Sequence, residues 1–251
     1  MPIWWVSACR RSFEFSCAHN RTVNDHHAMF GRIARRYDLV NTILSFGQDA
    51  RWRRKLGTYL PAGDHLRLLD LACGTGAQLL ALAPEMERLE ATGIDLSPEM
   101  LEVGRIRLGR AGLANRARLL EGDATRLDFP DASFDAVTIS FGIRNVGDAN
   151  DVLREAYRVL KPRGRFLILE FSLPENGFLR AACLGYLVLV VSSTGGLLTG
   201  QFAAYRYLSS SIREFADRVH LAEALTAAGF KVLAVEPLTF GAATIHVGEK
   251  P

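Results

Sequence analysis

The sequence predicts an α/β fold: a seven-stranded, mainly parallel sheet with helices on both faces. Three observations carry this expectation. From Leu66 onward, short apolar runs alternate with helical stretches, the pattern of successive βαβ units. A glycine-rich turn, Leu68-Leu-Asp-Leu-Ala-Cys-Gly-Thr-Gly76, joins the first apolar run to a helical stretch. Acids stand at the ends of three runs, Asp70, Asp95 and Asp123, at intervals of 25 and 28 residues, each about one βαβ unit. With 251 residues, 49% of them apolar and 23% charged, the chain has the balance of a globular protein, which excludes disorder, collagen and coiled coil as its main state.

Residues 1–24 show no period and read as a poorly ordered arm; residues 25–251 read as one domain. Its first part, 25–60, is predicted to be a helical cap. Between Gly31 and Lys55 this cap carries seven Arg/Lys against Asp38 and Asp49. Such a run is either a solvated helix face or an attraction for an anionic membrane surface or ligand. The predicted strands are Leu66–Leu71, Ala91–Ile94, Ala117–Leu120, Ala136–Ser140, Arg165–Phe171, Val232–Val235 and Thr244–Val247. The predicted helices lie near Gln78–Ala83, Pro98–Leu108, Ala149–Leu160 and Val219–Ala228; Ser97-Pro98 supplies an N-cap and a first-turn proline. Residues 173–215 form an insertion. Within it Ala181–Tyr205 is uncharged for 25 residues, but Ser192-Ser-Thr-Gly-Gly196 interrupts the apolar core, which favours a buried or membrane-touching helix pair over a span.

The charge surplus, +3, is too small to imply nucleic acid. Cys9, Cys17, Cys73 and Cys183 show neither C-x-x-C nor metal-ligand spacing, so no disulfide framework and no metal site are expected. Reduced thiols and the short apolar start fit a cytoplasmic protein, with peripheral contact at the inner face of the membrane and homo-oligomerisation left open.

The glycine turn lets the backbone bend sharply and lets a ligand approach closely at Gly74, Thr75 and Gly76. Asp95 lies 19 residues after Gly76, where a carboxylate accepts from both hydroxyls of a ribose. Asp123, with Ala124 beside it, is placed to accept from an adenine amino group, and Asp70 and Ser140 end strands on the same rim. Taken singly, any of these acids is more often a cap or turn residue. The dinucleotide fingerprint requires a third glycine where Leu79 stands, and no P-loop Lys-Ser/Thr is present. A cofactor without phosphate and with a cationic sulfonium, S-adenosyl-L-methionine, suits an acid-lined pocket better.

On these features the chain resembles a Rossmann-like class I methyltransferase. More specific segments resemble the ubiquinone/menaquinone biosynthesis C-methyltransferase family: Phe30-Gly-Arg-Ile-Ala-Arg-Arg-Tyr-Asp-Leu-Val-Asn41, Leu44-Ser-Phe-Gly47 with Trp52, and Ser140-Phe-Gly-Ile-Arg-Asn-Val146. So do Tyr157-Arg-Val-Leu-Lys-Pro162, Leu169-Glu-Phe-Ser172, Tyr205-Arg-Tyr-Leu208 and Ser211-Ile-Arg213, while Thr239 to Pro251 is similar to the menaquinone members in particular. The resemblance runs from Met29 to Pro251. Departures are Val40 for Met, Asp49 where many members have His, Ala77 for the acid after Gly-Thr-Gly, and Arg163 for the first glycine of Lys-Pro-Gly-Gly.

The resemblance implies C-methylation of a polyprenyl quinol, demethylmenaquinol above all, by S-adenosyl-L-methionine. Such chemistry needs a phenolate to be positioned and stabilised. Arg144 and Asn145 follow a strand end and are the candidates, Arg144 as a permanent cation; its alternative is a surface ion pair with Asp148. Tyr37 in the cap is a third candidate, its alternative a packed aromatic. His246, on an apolar strand, reads as a satisfied core histidine. The uncharged stretch 181–205 would cover the prenyl tail or meet the bilayer. A nicotinamide oxidoreductase, an RNA methyltransferase, a non-catalytic scaffold and a methyltransferase for another phenol are the competing readings.

Overall fold

The computed structural model of the protein describes residues 42, 45, 47–186 and 221–251. The expected arm at 1–24, Tyr37, and the part of the insertion beyond residue 186 lie outside them.

Helix α1, Asp49–Leu56, starts where Ser45 Oγ accepts from the Asp49 N–H and donates back to its carboxylate. Arg53, Arg54 and Lys55 in its last turn suit the negative end of a helix. Strands β1 (Leu66–Leu71), β2 (Leu89–Asp95), β3 (Ala117–Glu121), β4 (Phe134–Ser140), β5 (Leu160–Phe171), β6 (Lys231–Leu238) and β7 (Ala243–Glu249) form one sheet in the order β3-β2-β1-β4-β5-β7-β6. All neighbours are parallel except that β7 runs against both β5 and β6. Helices α2 (Ala77–Ala81), α3 (Pro98–Arg110) and α4 (Ala149–Val159) connect the parallel strands; α5 (Gly177–Gly185) and α6 (Leu221–Ala227) precede the β6–β7 hairpin. Ser97 caps α3 by accepting from the Met100 N–H, with Pro98 in the first turn as the sequence predicts.

Every predicted strand is present, with its ends moved. The largest change is in β5, which begins at Leu160, five residues before the expected Arg165. The extension holds because the Arg163 N–H donates to the Lys250 carbonyl and Leu160 pairs with Phe134. Arg163 takes φ +64°, a conformation natural to glycine, so this residue bears on backbone geometry, as its place in a glycine turn suggests.

Alternation along the strands divides the interior in two. Leu66 and Leu68 of β1 and Leu167, Leu169 and Phe171 of β5 face a core closed by α1, α2 and α3. Leu69, Leu71, Phe166 and Ile168 face the other, closed by α4 and α6. Asp70 therefore projects to the first face and Glu170 to the second. Strand order reverses between β1 and β4, which opens a crevice beyond their carboxyl ends.

Candidate functional site

In that crevice lies a cavity of about 710 Å³, counted out to its mouth, lined by Asp70, Gly74, Thr75, Asp95, Ser140 and Asn145 among others. Backbone geometry builds its floor. Ala72, Gly74 and Gly76 all take left-handed φ, +48°, +53° and +73°, so the chain coils tightly between β1 and α2. A side chain at Gly104 would lie 3.1 Å from the Thr75 carbonyl carbon, which shows how closely α3 approaches this turn. Arg107 fixes the turn from the same helix, donating to Thr75 Oγ1 at 2.7 Å.

Asp95 ties the turn to β2. Its Oδ2 accepts from the Gly74 N–H at 2.8 Å and its Oδ1 from the Ser97 N–H at 2.9 Å. Asp95 also lines the cavity. Asp70 is 1% exposed. Thr138 Oγ1 donates to its Oδ1 at 2.7 Å, while Oδ2 has no hydrogen-bond partner among the described residues. Burial pushes the Asp70 carboxyl up to about 7, helped by the Asp95 charge and opposed by the Thr138 hydrogen bond and the Arg53 cation. A buried carboxylate oxygen without a partner is a receptor for a cation or a donor.

Two wall residues were not singled out from sequence. Gln78 donates to the Arg53 carbonyl at 3.1 Å and accepts from Ser140 Oγ at 2.8 Å, so Ser140 is committed to holding α1 and α2 over the strand ends. Arg53, in the basic run of the cap, is buried, with its guanidinium 4.9 Å from the Phe141 ring centre. For Arg53 the solvated-face reading of that run is thereby corrected; Arg51, Arg54 and Lys55 do face solvent.

Asp123 and Ala124 do not line this cavity. Asp123 is exposed and accepts from the Thr125 N–H and hydroxyl at 2.8 Å, a turn-forming role, and Ala124 is buried in the α4 core.

Arg144 departs from the expected rim position. Its side chain is 1% exposed and forms an ion pair with Glu170, itself 2% exposed, and not with Asp148, which caps α4. Nη1 also donates to the Phe141 carbonyl at 2.9 Å, and the guanidinium lies 5.4 Å from the Phe171 ring centre. Asn145, one residue on, does line the cavity, its Nδ2 donating to the same carbonyl at 3.4 Å.

A second cavity, about 1440 Å³ to its mouth, opens at the β5–β7–β6 end of the sheet. Glu170, Thr244 and His246 line it from β5 and β7, and the rest of its lining is mixed, with Phe171, Leu221 and Phe240 beside Glu175, Arg180 and Glu223. Phe141 lines the first cavity and Phe171 the second, and their ring centres are 4.4 Å apart. His246 is not satisfied as expected: its Nδ1 has no partner among the described residues, and burial lowers its pKa to about 4.

The model of the ubiE/COQ5 methyltransferase family matches residues 18–250. The chain is 46% identical over 223 residues to the demethylmenaquinone methyltransferase of Thermus thermophilus, covering 89% of this chain and all of that protein. It is 42% identical over 226 residues to the ubiquinone/menaquinone biosynthesis C-methyltransferase UbiE of Geotalea daltonii, covering 88% and 94%. Among solved structures, it is similar to a SAM-dependent methyltransferase of Thermotoga maritima, described as a possible histamine N-methyltransferase, with a TM-score of 0.61, 21% identity and coverage of 89% and 99%.

Proposed function

Because this chain belongs to the ubiE/COQ5 methyltransferase family, we propose that it is the enzyme that C-methylates demethylmenaquinol to menaquinol. It is an S-adenosyl-L-methionine-dependent methyltransferase of menaquinone and ubiquinone biosynthesis. The choice of the naphthoquinol rests on the name of the Thermus relative, a demethylmenaquinone methyltransferase, and on the resemblance of Thr239–Pro251 to menaquinone members.

The observation that carries the reading is the first cavity. Its residues fit the methyl donor: a glycine turn that admits close approach, the Asp95 carboxylate at the end of β2 for ribose hydroxyls, and the unpartnered Oδ2 of Asp70 for the cationic end. The absence of a phosphate-binding third glycine, with Leu79 buried in the core at that place, suits a cofactor that carries no phosphate. When bound, S-adenosyl-L-methionine supplies an electrophilic methyl group on a positive sulfur. Ser140, Gln78 and Arg53 hold α1 across the strand ends. Asn145 faces the same cavity. Arg144 lines neither cavity; it is retained as a candidate for the phenolate through Nε and Nη2, which have no partner among the described residues. Tyr37 is retained as a further candidate for the ring.

A polyprenyl substrate has to be reached at a bilayer. No helix among the described residues is long and apolar enough to cross a membrane. Phe240, 83% exposed, lines the second cavity, and Phe178 in α5 is 82% exposed. Two such exposed phenylalanines support peripheral membrane contact.

The test is incubation with labelled S-adenosyl-L-methionine and reduced demethylmenaquinol, demethoxyubiquinol or simple phenols, followed by product mass. Label in menaquinol carbon is expected; transfer to a simple phenol with none to the quinol would replace the reading.

A further inference from the structure

We propose that the floor of the second cavity binds the hydroxyl of the quinol and that Glu170 accepts its proton. This rests on the quinol reading above and adds to it a site and a role. Among the described residues, Glu170 Oε2 and His246 Nδ1 are buried polar atoms without a hydrogen-bond partner, and both residues line this cavity; Arg144, whose Nε and Nη2 are likewise unpartnered, pairs with Glu170. They come from the turn after β4, from β5 and from β7. Glu170 pairs across the ladder with Thr244, so Thr244 and His246 lie beside it on one sheet face. A floor so incompletely satisfied is costly unless a ligand completes it.

The chemistry of the cavity selects the ligand. A ring with a hydroxyl and a long hydrocarbon tail needs donors and acceptors at one end and apolar contact beyond; Glu170 and His246 supply the first, and Phe171, Leu221 and Phe240 the second. The position suits the reaction as well. Asn145 lines the cofactor cavity, its neighbour Arg144 pairs with Glu170 of the second, and the Phe141 and Phe171 rings, with centres 4.4 Å apart, stand between the two.

Glu170 Oε1 is engaged by Arg144 and by the Phe171 N–H, which leaves Oε2 to face the hydroxyl. Transfer of the phenolic proton to Oε2 leaves a phenolate and a neutral carboxyl. The negative charge has moved from one neighbour of Arg144 to another, so no buried charge is created. With the methyl donor bound, the electron-rich ring carbon would take the methyl group as the carbon–sulfur electron pair stays with sulfur; the ring would then lose its proton to water, and Glu170 would return its proton to the product phenolate. Burial pushes the Glu170 carboxyl up, against the pull of Arg144, in the direction a proton acceptor near neutral pH requires. The other ionisable residues facing the cavity are Glu175, Arg180, Glu223 and His246.

The experiment uses the full chain and a short-chain demethylmenaquinol. In Glu170→Gln, kcat is expected to fall by about 10²–10⁴, S-adenosyl-L-methionine affinity to stay within about twofold, and the pH dependence of kcat to lose its lower inflection. Should that variant not fold, wild-type protein decides: naphthohydroquinone is expected to bind at least tenfold tighter than its dimethyl ether, and His246→Phe to raise KM with cofactor affinity unchanged. Full turnover in folded Glu170→Gln, or equal binding of hydroquinone and ether, overturns the assignment. Absence of wild-type turnover on any quinol overturns the reading on which it rests, and is recognised separately by the first assay.

Discussion

The two cavities each hold a buried carboxylate at the carboxyl edge of a strand, yet they are built differently. Asp70 sits among turn backbone supplied by the next few residues and accepts from the Thr138 hydroxyl. Glu170 sits among side chains from segments as distant as Arg144 and His246, and a buried ion pair holds it. The first site draws its shape from local chain geometry; the second draws it from tertiary contacts. Substitutions should therefore act through the backbone on one side of the sheet and through unpaired charge on the other.

The largest effect is expected from Arg144→Ala, which strands the Glu170 charge. Breaking such a buried pair costs about 3–5 kcal/mol, to be read from urea unfolding. The Arg144→Met, Glu170→Met double variant should recover most of that stability while remaining inactive. If the single variant unfolds like the wild type, the contrast between the sites collapses. Next in size, Asp95→Ala removes acceptors from the Gly74 and Ser97 N–H groups as well as from the ribose. Losing charge-assisted hydrogen bonds costs roughly 1.5–3 kcal/mol, about tenfold to a hundredfold in cofactor affinity, which calorimetry measures. A folded variant with unchanged affinity removes Asp95 from the site.

Gly104→Ala should cost about 1–3 kcal/mol by overpacking, because the new carbon meets Leu119 Cδ1 at 2.6 Å and the Thr75 carbonyl carbon at 3.1 Å. It should weaken cofactor binding and leave quinol-analogue binding alone; equal losses would show that the two cavities are one mechanical unit. The smallest effect is a pH dependence. With Asp70 near 7 in the free protein, a bound cation favours its ionised form and releases a proton. Affinity should rise with pH, at most roughly tenfold per unit, and level off above about 7. The sign for the free protein is opposite: the raised carboxyl contributes stability at pH below its unfolded value of about 4, lost as pH rises through about 7. Calorimetry at pH 6 in two buffers of different ionisation enthalpy should detect the released proton.

The same contrast explains what the sequence disclosed. Asp70, Gly74 and Asp95 were legible because a strand, a glycine turn and an acid one βαβ unit later form a local pattern. Asp123 fits that spacing equally well and still lies in an exposed turn, since spacing says nothing about which way a strand end faces. Arg53 was hidden in a run of basic residues: Arg51 and Arg54 flank it and face solvent, and only the contact of α1 with Phe141 separates them. Glu170 did leave a signal, a lone acid inside the apolar run Arg165–Phe171. Arg144 was legible as well, but its pairing with Glu170, 26 residues later in the chain, was not.

The clasp between α1 and the β6–β7 turn has a consequence for how the chain is made. Trp52 Nε1 donates to Thr239 Oγ1 across 187 residues, and Lys55 and Tyr59 both reach Glu236. At synthesis rates of about 5–20 residues per second, α1 leaves the ribosome about 10–40 s before the residues that fasten it. Over that interval the indole of Trp52 lacks this acceptor, and the floor of the cofactor crevice can assemble before its cap is fastened. The helix that covers the site is thus among the earliest segments translated and among the last secured, and a nascent-chain chaperone would have its longest opportunity there.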